Sequence, residues 1–183
     1  MSDCSSQLIL AMDAAGISEA VTRMAGQILE KNSGLSRLVI AGIPTRGVEL
    51  ARRLVKTIEA SSGMKPDFGI IDVAMHRDDL SQRIRMTTVQ TTKLPLDLDN
   101  RRVILVDDVL FTGRSCRAAL DAIVSFGRPS SIQFAVLVDR GHRELPIHAD
   151  YVGKHLRTSP EERIRVRFEN LDDEPDSVQV IRP

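Results

Sequence analysis

Residues 103–115, VILVDDVLFTGRS, constrain the fold more than any other stretch of this chain. Val103, Ile104, Leu105 and Val106 are consecutive apolar residues, which suits a strand buried on both faces better than one with a wet side. Two adjacent carboxylates, Asp107 and Asp108, follow. FTGRS then turns into Arg114–Phe126, where Cys116, Ala119, Leu120, Ile123 and Val124 recur at helical spacing. A strand buried on both faces requires cover on both sides of its sheet, and the rest of the chain supplies the pattern for it.

Ile17, Val21, Met24, Ala25, Ile28 and Leu29 predict a helix over Asp13–Asn32, with Asp13 as N-cap and NSG as the stop. Arg37–Ile43 reads as a buried strand, and Val48–Ala60 returns to the helical period after PTRG. Phe68–Met75 and Ile132–Val138 read as further strands. Alternation of strand and helix predicts an α/β fold with a mostly parallel sheet flanked by helices. Ser81–Asn100, rich in Thr and charge, reads as a long loop or hairpin arm of functional or mobile character. After Pro160 the stretch RIRVRFE alternates as an exposed strand does, and SVQVI is a candidate partner for it.

At 183 residues the chain fits one domain with small extensions, and its core needs neither disulfide nor structural metal. Hydrophobic residues make up 42% and aromatics 3%, so aliphatic side chains must fill that core. The two cysteines, Cys4 and Cys116, fit an intracellular, reducing compartment better than secretion. LILAM near the N-terminus is too short for a signal region, and no run approaches the ~18 apolar residues of a membrane span, so a soluble, cytoplasmic protein is expected. A formal net charge of zero argues against indiscriminate nucleic-acid binding, yet the 25 basic residues divide into 20 Arg and 5 Lys. Arginine is the better fork for phosphates and carboxylates, so the skew favours anionic ligands.

Ligands of open α/β sheets bind beyond the carboxyl ends of the strands. There the chain carries PTRG (44–47), HRDD (76–79), DDVLFTGRS and DRGHRE (139–144), bringing Arg46, Arg77, Arg114 and Arg140 beside Asp107, Asp108 and Asp139. Gly113 permits a sharp turn, and the amides and hydroxyls of Thr112–Ser115 face the mouth of the following helix, where a phosphate fits. Paired carboxylates just upstream can accept hydrogen bonds from vicinal hydroxyls, so the spacing suits a sugar 5-phosphate. A capped strand-to-helix connection with solvated acids fits the same residues. The chain contains no Gly-x-x-x-x-Gly-Lys-Ser/Thr loop, which excludes a P-loop ATPase, and no Gly-x-Gly-x-x-Gly follows the first strand.

VILVDDVLFTGRS resembles the 5-phosphoribosyl 1-pyrophosphate (PRPP) motif of type I phosphoribosyltransferases. GIPTRGVELARRL, RDDL and GRPSSIQFAVLVDRGHRELPIHADYVGK narrow the resemblance to the PyrR family, bifunctional pyrimidine operon attenuators and uracil phosphoribosyltransferases. It runs from about Ser18 to Pro160. It implies a type I phosphoribosyltransferase-like fold in one domain, with 81–100 as a mobile loop or arm and 140–183 as a base-covering segment, small C-terminal hood and tail. It also implies transfer of the phosphoribosyl group of PRPP to uracil, giving UMP and diphosphate with Mg²⁺.

By that resemblance PRPP contacts come from Val103, Ile104, Leu105, Val106, Asp107, Asp108, Val109, Leu110, Phe111, Thr112, Gly113, Arg114 and Ser115. Asp107 and Asp108 hold the ribose, and Thr112–Ser115 hold the 5-phosphate. Thr45, Arg46 and Gly47 match the diphosphate loop, and Arg77 is a candidate to close over diphosphate. Arg46, Asp107 and Asp108 are the catalytic candidates. Asp139, Arg140 and Leu156 are assigned to the base, with Asp108 and Asp139 as candidate metal ligands. Purine-specific relatives commonly carry an acid where this chain has Phe111, which favours a pyrimidine. The family's second activity, UMP-promoted binding of pyrimidine-operon leader mRNA, would use Thr22, Arg23 and Arg143. Basic residues are usual in the family where this chain has Gly26 and His148, whereas His76 and Ser115 are conservative departures. Family analogy also implies a homodimer or higher homo-oligomer.

Overall fold

The computed structural model describes residues 7–32, 34–73, 92–95 and 97–183. In chain order the elements are β1 (Gln7–Met12), α1 (Ala14–Lys31), β2 (Leu38–Gly42), α2 (Arg46–Ser62), β3 (Asp67–Ile70), β4 (Arg102–Leu110), α3 (Arg114–Phe126), β5 (Ser131–Asp139), β6 (Tyr151–His155), β7 (Arg163–Arg167), α4 (Glu169–Asp172) and β8 (Ser177–Arg182). Five of the strands form a parallel sheet in the order β3-β2-β4-β5-β6. The other three, β1-β8-β7, form an antiparallel sheet that joins the two chain ends.

The apolar run of β4 sits at the centre of the larger sheet because successive side chains serve opposite faces. Ile104 and Val106 pack with Ile17, Met24, Leu50 and Leu54 of α1 and α2. Val103 and Leu105 pack with Ala119, Ala122 and Ile123 of α3. Both layers are sealed by helices, which is why no polar residue interrupts positions 103–106.

The helix ends follow the sequence signals. Asp13 caps α1 by accepting the Gly16 N–H at 2.8 Å, and Asn32 closes the helix by donating its side chain to the Ile28 carbonyl at 3.0 Å. Asn32 also donates to Gln133 and to the Tyr151 hydroxyl, so the end of α1 is tied to β5 and β6 through a buried polar cluster. At the other end of α2, Gly63 adopts φ +70°, the left-handed conformation that ends a helix with little strain in glycine.

Four elements differ from the sequence expectation. β4 continues through both aspartates to Leu110, paired with β5 as far as Leu110–Asp139. A carboxylate leaves the strand perpendicular to the ladder, so it does not end backbone pairing. The segment LILAM is a strand, β1, whose partner β8 lies at the far end of the sequence, and Tyr151–His155 adds a fifth parallel strand. β3 ends at Ile70, and residues 74 and 75 of the expected strand lie outside the described residues, as does 81–91 of the expected arm.

The small sheet is fastened to α2 by charge as well as by packing. Phe168, fully buried, lies under the Arg53 guanidinium at 4.5 Å from ring centroid to Cζ. Arg53 pairs with Glu49 at 3.0 Å and with Asp176, while Asn170 donates to Glu49 at 3.1 Å. Burial alone would raise the Asp176 carboxyl, but hydrogen bonds from Arg53 and the Glu169 amide hold it below the usual carboxylate range. A depressed folded pKa stabilises the protein above the unfolded value of about 3.9, and that contribution disappears as pH falls through the folded value. Urea unfolding should therefore show wild type more stable than Asp176→Asn at pH 7, with the gap closing below about pH 4.

Candidate active site

The ends of β2 and β4 are locked together. The Ile43 N–H donates to the Val106 carbonyl at 2.9 Å, after which the chain passes through a cis Pro44–Thr45 peptide and enters α2 at Arg46. Gly47 is required by proximity: a Cβ there would lie 2.6 Å from the Val106 oxygen and 3.0 Å from the Asp107 Cα. Gly42 is equally confined, with a Cβ 2.5 Å from the Val48 Cα. The loop bearing Thr45, Arg46 and Gly47 thus rests directly on the backbone of Val106 and Asp107.

Those aspartates have different surroundings. Asp107 is 8% exposed, lies next to Gly47, and accepts the Asp108 N–H on Oδ1 at 2.9 Å. Burial, together with the charge of Asp107, pushes the Cys116 thiol up to about 12, so Cys116 is an inert core residue rather than a nucleophile. Asp108 opens instead onto a cleft of about 490 Å³ lined also by Arg46, β7, Asp172 and Glu174. Arg46 pairs through Nη2 with Asp172, and its buried Nε has no hydrogen-bond partner among the described residues. The Arg46 side chain is 37% exposed on the cleft, where its charge suits an anionic ligand.

At the start of α3, Gly113 has φ +93°, and the Thr112 hydroxyl accepts the Arg114 N–H at 3.4 Å. The Thr112 carbonyl accepts N–H groups of Glu144 and Leu145 at 3.1 and 3.2 Å, so the loop after β5 is tied to this turn. The first turn of α3 carries no acid, leaving the positive end of a thirteen-residue helix unopposed by its own side chains. Arg114 places its guanidinium on Glu144, at 2.8 Å from Nε and 2.7 Å from Nη2. It acts as a strut between two loops, and its contribution at the helix mouth comes from the backbone.

Beyond β5, Asp139 meets Arg143 at 2.5 Å and accepts the Gly141 N–H at 3.0 Å. Burial would raise this carboxyl, but the Arg143 and Gly141 hydrogen bonds and the Arg143 charge hold it below the usual range. Arg140 is buried, donates to Thr158 and to the Ser159 carbonyl, and lies 4.2 Å from the centroid of the Phe111 ring. The His142 ring meets Phe111 edge-on at 6.1 Å, and the Leu156 N–H donates to the Asp139 carbonyl at 2.9 Å. Phe111, at 38% exposure, therefore presents an apolar ring held in place by a cation behind it.

Asp139 is paired with Arg143, whereas Asp108 faces the cleft with Asp172 and Glu174. Among the described residues no three His, Cys, Asp or Glu gather closely enough to enclose a metal. Asp108 beside an anion site suits an ion such as Mg²⁺, which is commonly held by one or two carboxylates plus substrate phosphates and water. The Arg143 guanidinium donates to carbonyls of Ile147, Phe111 and Gly141 at 2.9–3.0 Å, holding the loop after β5 to β4. Arg23 donates to Val152 and Gly153 carbonyls of β6, and the Thr22 hydroxyl turns back to the Ser18 carbonyl, so both have structural partners on an exposed helix face. Arg77 lies outside the described residues.

Sequence reasoning missed Asp172 and the β7 arginines as neighbours of Arg46. The alternation RIRVR signals a strand with Arg163, Arg165 and Arg167 on one face, but not which cleft it borders.

A model of the phosphoribosyl transferase domain matches residues 13–167. The bifunctional protein PyrR of Clostridioides difficile is 52% identical over 169 residues, covering 92% of this chain and 95% of that protein. The bifunctional protein PyrR of Listeria monocytogenes is 49% identical over 173 residues, covering 93% and 94%. A hypoxanthine phosphoribosyltransferase structure from Staphylococcus aureus aligns with a TM-score of 0.69 at 18% identity, covering 96% of this chain and 93% of its own. At that identity the likeness is one of fold.

Proposed function

Because this chain belongs to the phosphoribosyl transferase domain family and, within it, to the PyrR proteins, we propose that it converts uracil and PRPP to UMP and diphosphate and also regulates pyrimidine genes through their leader mRNA. The observation that carries the enzymatic reading is the seating of the Thr45–Gly47 loop on β4 at Asp107 and Asp108. It brings a site suited to a leaving diphosphate against one suited to ribose hydroxyls.

The reaction breaks the anomeric C–O bond, whose electrons leave with diphosphate, and forms a C–N bond to N1 of uracil, whose N–H proton passes to diphosphate or water. Positive charge develops on the ribose and negative charge on the departing diphosphate. Arg46 supplies fixed positive charge to the diphosphate, and Asp107 and Asp108 accept hydrogen bonds from the ribose hydroxyls and hold the ring in place. Thr112–Ser115 and the positive end of α3 hold the 5-phosphate, so the anomeric carbon is fixed between two anchors. Mg²⁺, when bound, neutralises diphosphate charge, and Asp108 is the residue of this chain that would help to hold it, together with substrate oxygens. Phe111 offers the base an apolar ring, while Asp139, Arg140 and Leu156 form the adjoining wall.

Purified protein with PRPP and Mg²⁺ should release diphosphate with uracil and about 100-fold more slowly with hypoxanthine or guanine. Equal rates with purines would overturn the pyrimidine assignment. The regulatory activity is tested by gel shift with the organism's own pyrimidine leader RNA. UMP should tighten a specific complex, Arg23→Ala should weaken it, and the complex should loosen as salt rises. Absence of UMP-stimulated binding would remove the regulatory half of the reading. Association into a homodimer or higher homo-oligomer is part of the same proposal and is read directly by light scattering.

A further inference from the structure

We infer that Asp172 is a positioning residue that holds Arg46 whenever diphosphate is absent and lowers the affinity of the site for diphosphate, so that this product leaves. The inference rests on the reading of Arg46 as a diphosphate ligand.

The geometry is that of a fixed placeholder. Asp172 Oδ1 takes the Arg46 Nη2 hydrogen at 2.5 Å, while Oδ2 accepts the Phe168 N–H at 2.9 Å. The Asp172 N–H in turn donates to the Phe168 carbonyl at 2.9 Å, so the carboxylate is anchored to a fully buried residue of the core. Because one oxygen is committed to that amide, Asp172 engages only one arm of the guanidinium. A carboxylate turned side-on would fill Nε and Nη2 together, whereas here Asp172 meets Nη2 alone. The Arg46 side chain is 37% exposed on the cleft, so a diphosphate oxygen can approach the guanidinium there and compete with Asp172 for Nη2.

α4 does not depend on this pair for its place. The separate network of Arg53, Glu49, Asp176 and Asn170, none of which lines the cleft, fastens it to α2. A role confined to structure would make Asp172 redundant with that network.

Calorimetric titration of the full chain with inorganic diphosphate and Mg²⁺ tests the inference. Asp172→Asn keeps an oxygen for the Phe168 amide and removes the charge opposite Arg46. It should bind diphosphate about fivefold more tightly, the factor set by a partly exposed ion pair of about 1 kcal/mol. Product inhibition by diphosphate should strengthen by the same factor, and KM for PRPP should fall. Because the effect acts through Arg46, adding Asp172→Asn to Arg46→Ala should leave diphosphate affinity as in Arg46→Ala alone. Unchanged or weaker diphosphate binding in Asp172→Asn overturns the inference. Should the asparagine lower the melting temperature, Asp172→Ser, whose hydroxyl can still accept the Phe168 amide, carries the same test. If Arg46→Ala alone binds diphosphate as wild type does, the assignment of Arg46 fails; if it loses binding while Asp172→Asn gains none, only the role of Asp172 fails.

Discussion

Asp108→Asn should lower kcat/KM for PRPP by roughly 100- to 1,000-fold with little change in the unfolding midpoint. Asp108 faces the cleft rather than the packed interior, so an isosteric amide costs the core almost nothing. What disappears is a negative charge beside the developing positive charge of the ribose, and an acceptor for its hydroxyls. Asp107→Asn should behave differently. Asp107 is nearly buried against Gly47 and accepts the Asp108 amide, so its loss should reduce stability as well as activity. Steady-state kinetics paired with thermal unfolding separate the two residues. An Asp108→Asn enzyme within threefold of wild type would remove this carboxylate from the reaction.

The second large effect belongs to Gly47→Ala. The added methyl carbon would stand 2.6 Å from the Val106 carbonyl oxygen and 3.0 Å from the Asp107 Cα, both backbone atoms of the central strand. No rotamer change can relieve a clash with backbone, so the loop must lift away from β4. The strain should cost about 1–3 kcal/mol of stability. Activity should suffer more, by at least about 100-fold, because a displacement near 1 Å separates Arg46 from the acids it must work beside. Urea unfolding and kcat/KM measured on the same preparation check this. An active Gly47→Ala enzyme would mean that the seating of this loop does not matter to the chemistry.

Much of the fold was legible because its dominant signals are local. The periodicity of Ile17 to Leu29, with Asp13 in front and Asn32 behind, marks α1 to within a residue at each end, since capping and amphipathic spacing are both written in adjacent positions. The uninterrupted run Val103–Val106 reports a doubly covered central strand for the same reason. β1 was not legible: six residues near the N-terminus become a strand by pairing with β8 more than 160 residues away, and no local pattern carries that information. β4 was read too short because acids were taken as its end, although the ladder to β5 ignores side-chain charge.

The candidate site divides in the same way. Motifs at strand ends brought Arg46, Asp107, Asp108, Thr112 and Gly113 to one edge of the sheet, as the topology of a parallel sheet requires. The sequence could not distinguish the side chains that open onto the cleft from those that hold its walls. Arg114, Arg140 and Arg143 all looked available for anions, yet their guanidiniums meet Glu144, the Thr158–Ser159 segment and loop carbonyls respectively. Asp172 carried no motif, and it meets Arg46 where α4 is fastened to α2 by contacts distant in sequence.

The central claim is that one strand, β4, with the loop seated on it, binds the whole phosphoribosyl unit. A crystal structure of the protein grown with UMP tests it most directly. The account requires the ribose hydroxyls on Asp107 and Asp108, the 5-phosphate at the amides of Thr112–Ser115, and uracil between Phe111 and the Asp139–Leu156 wall. UMP bound away from β4, or with its phosphate at Arg46 and its ribose clear of both aspartates, would contradict it.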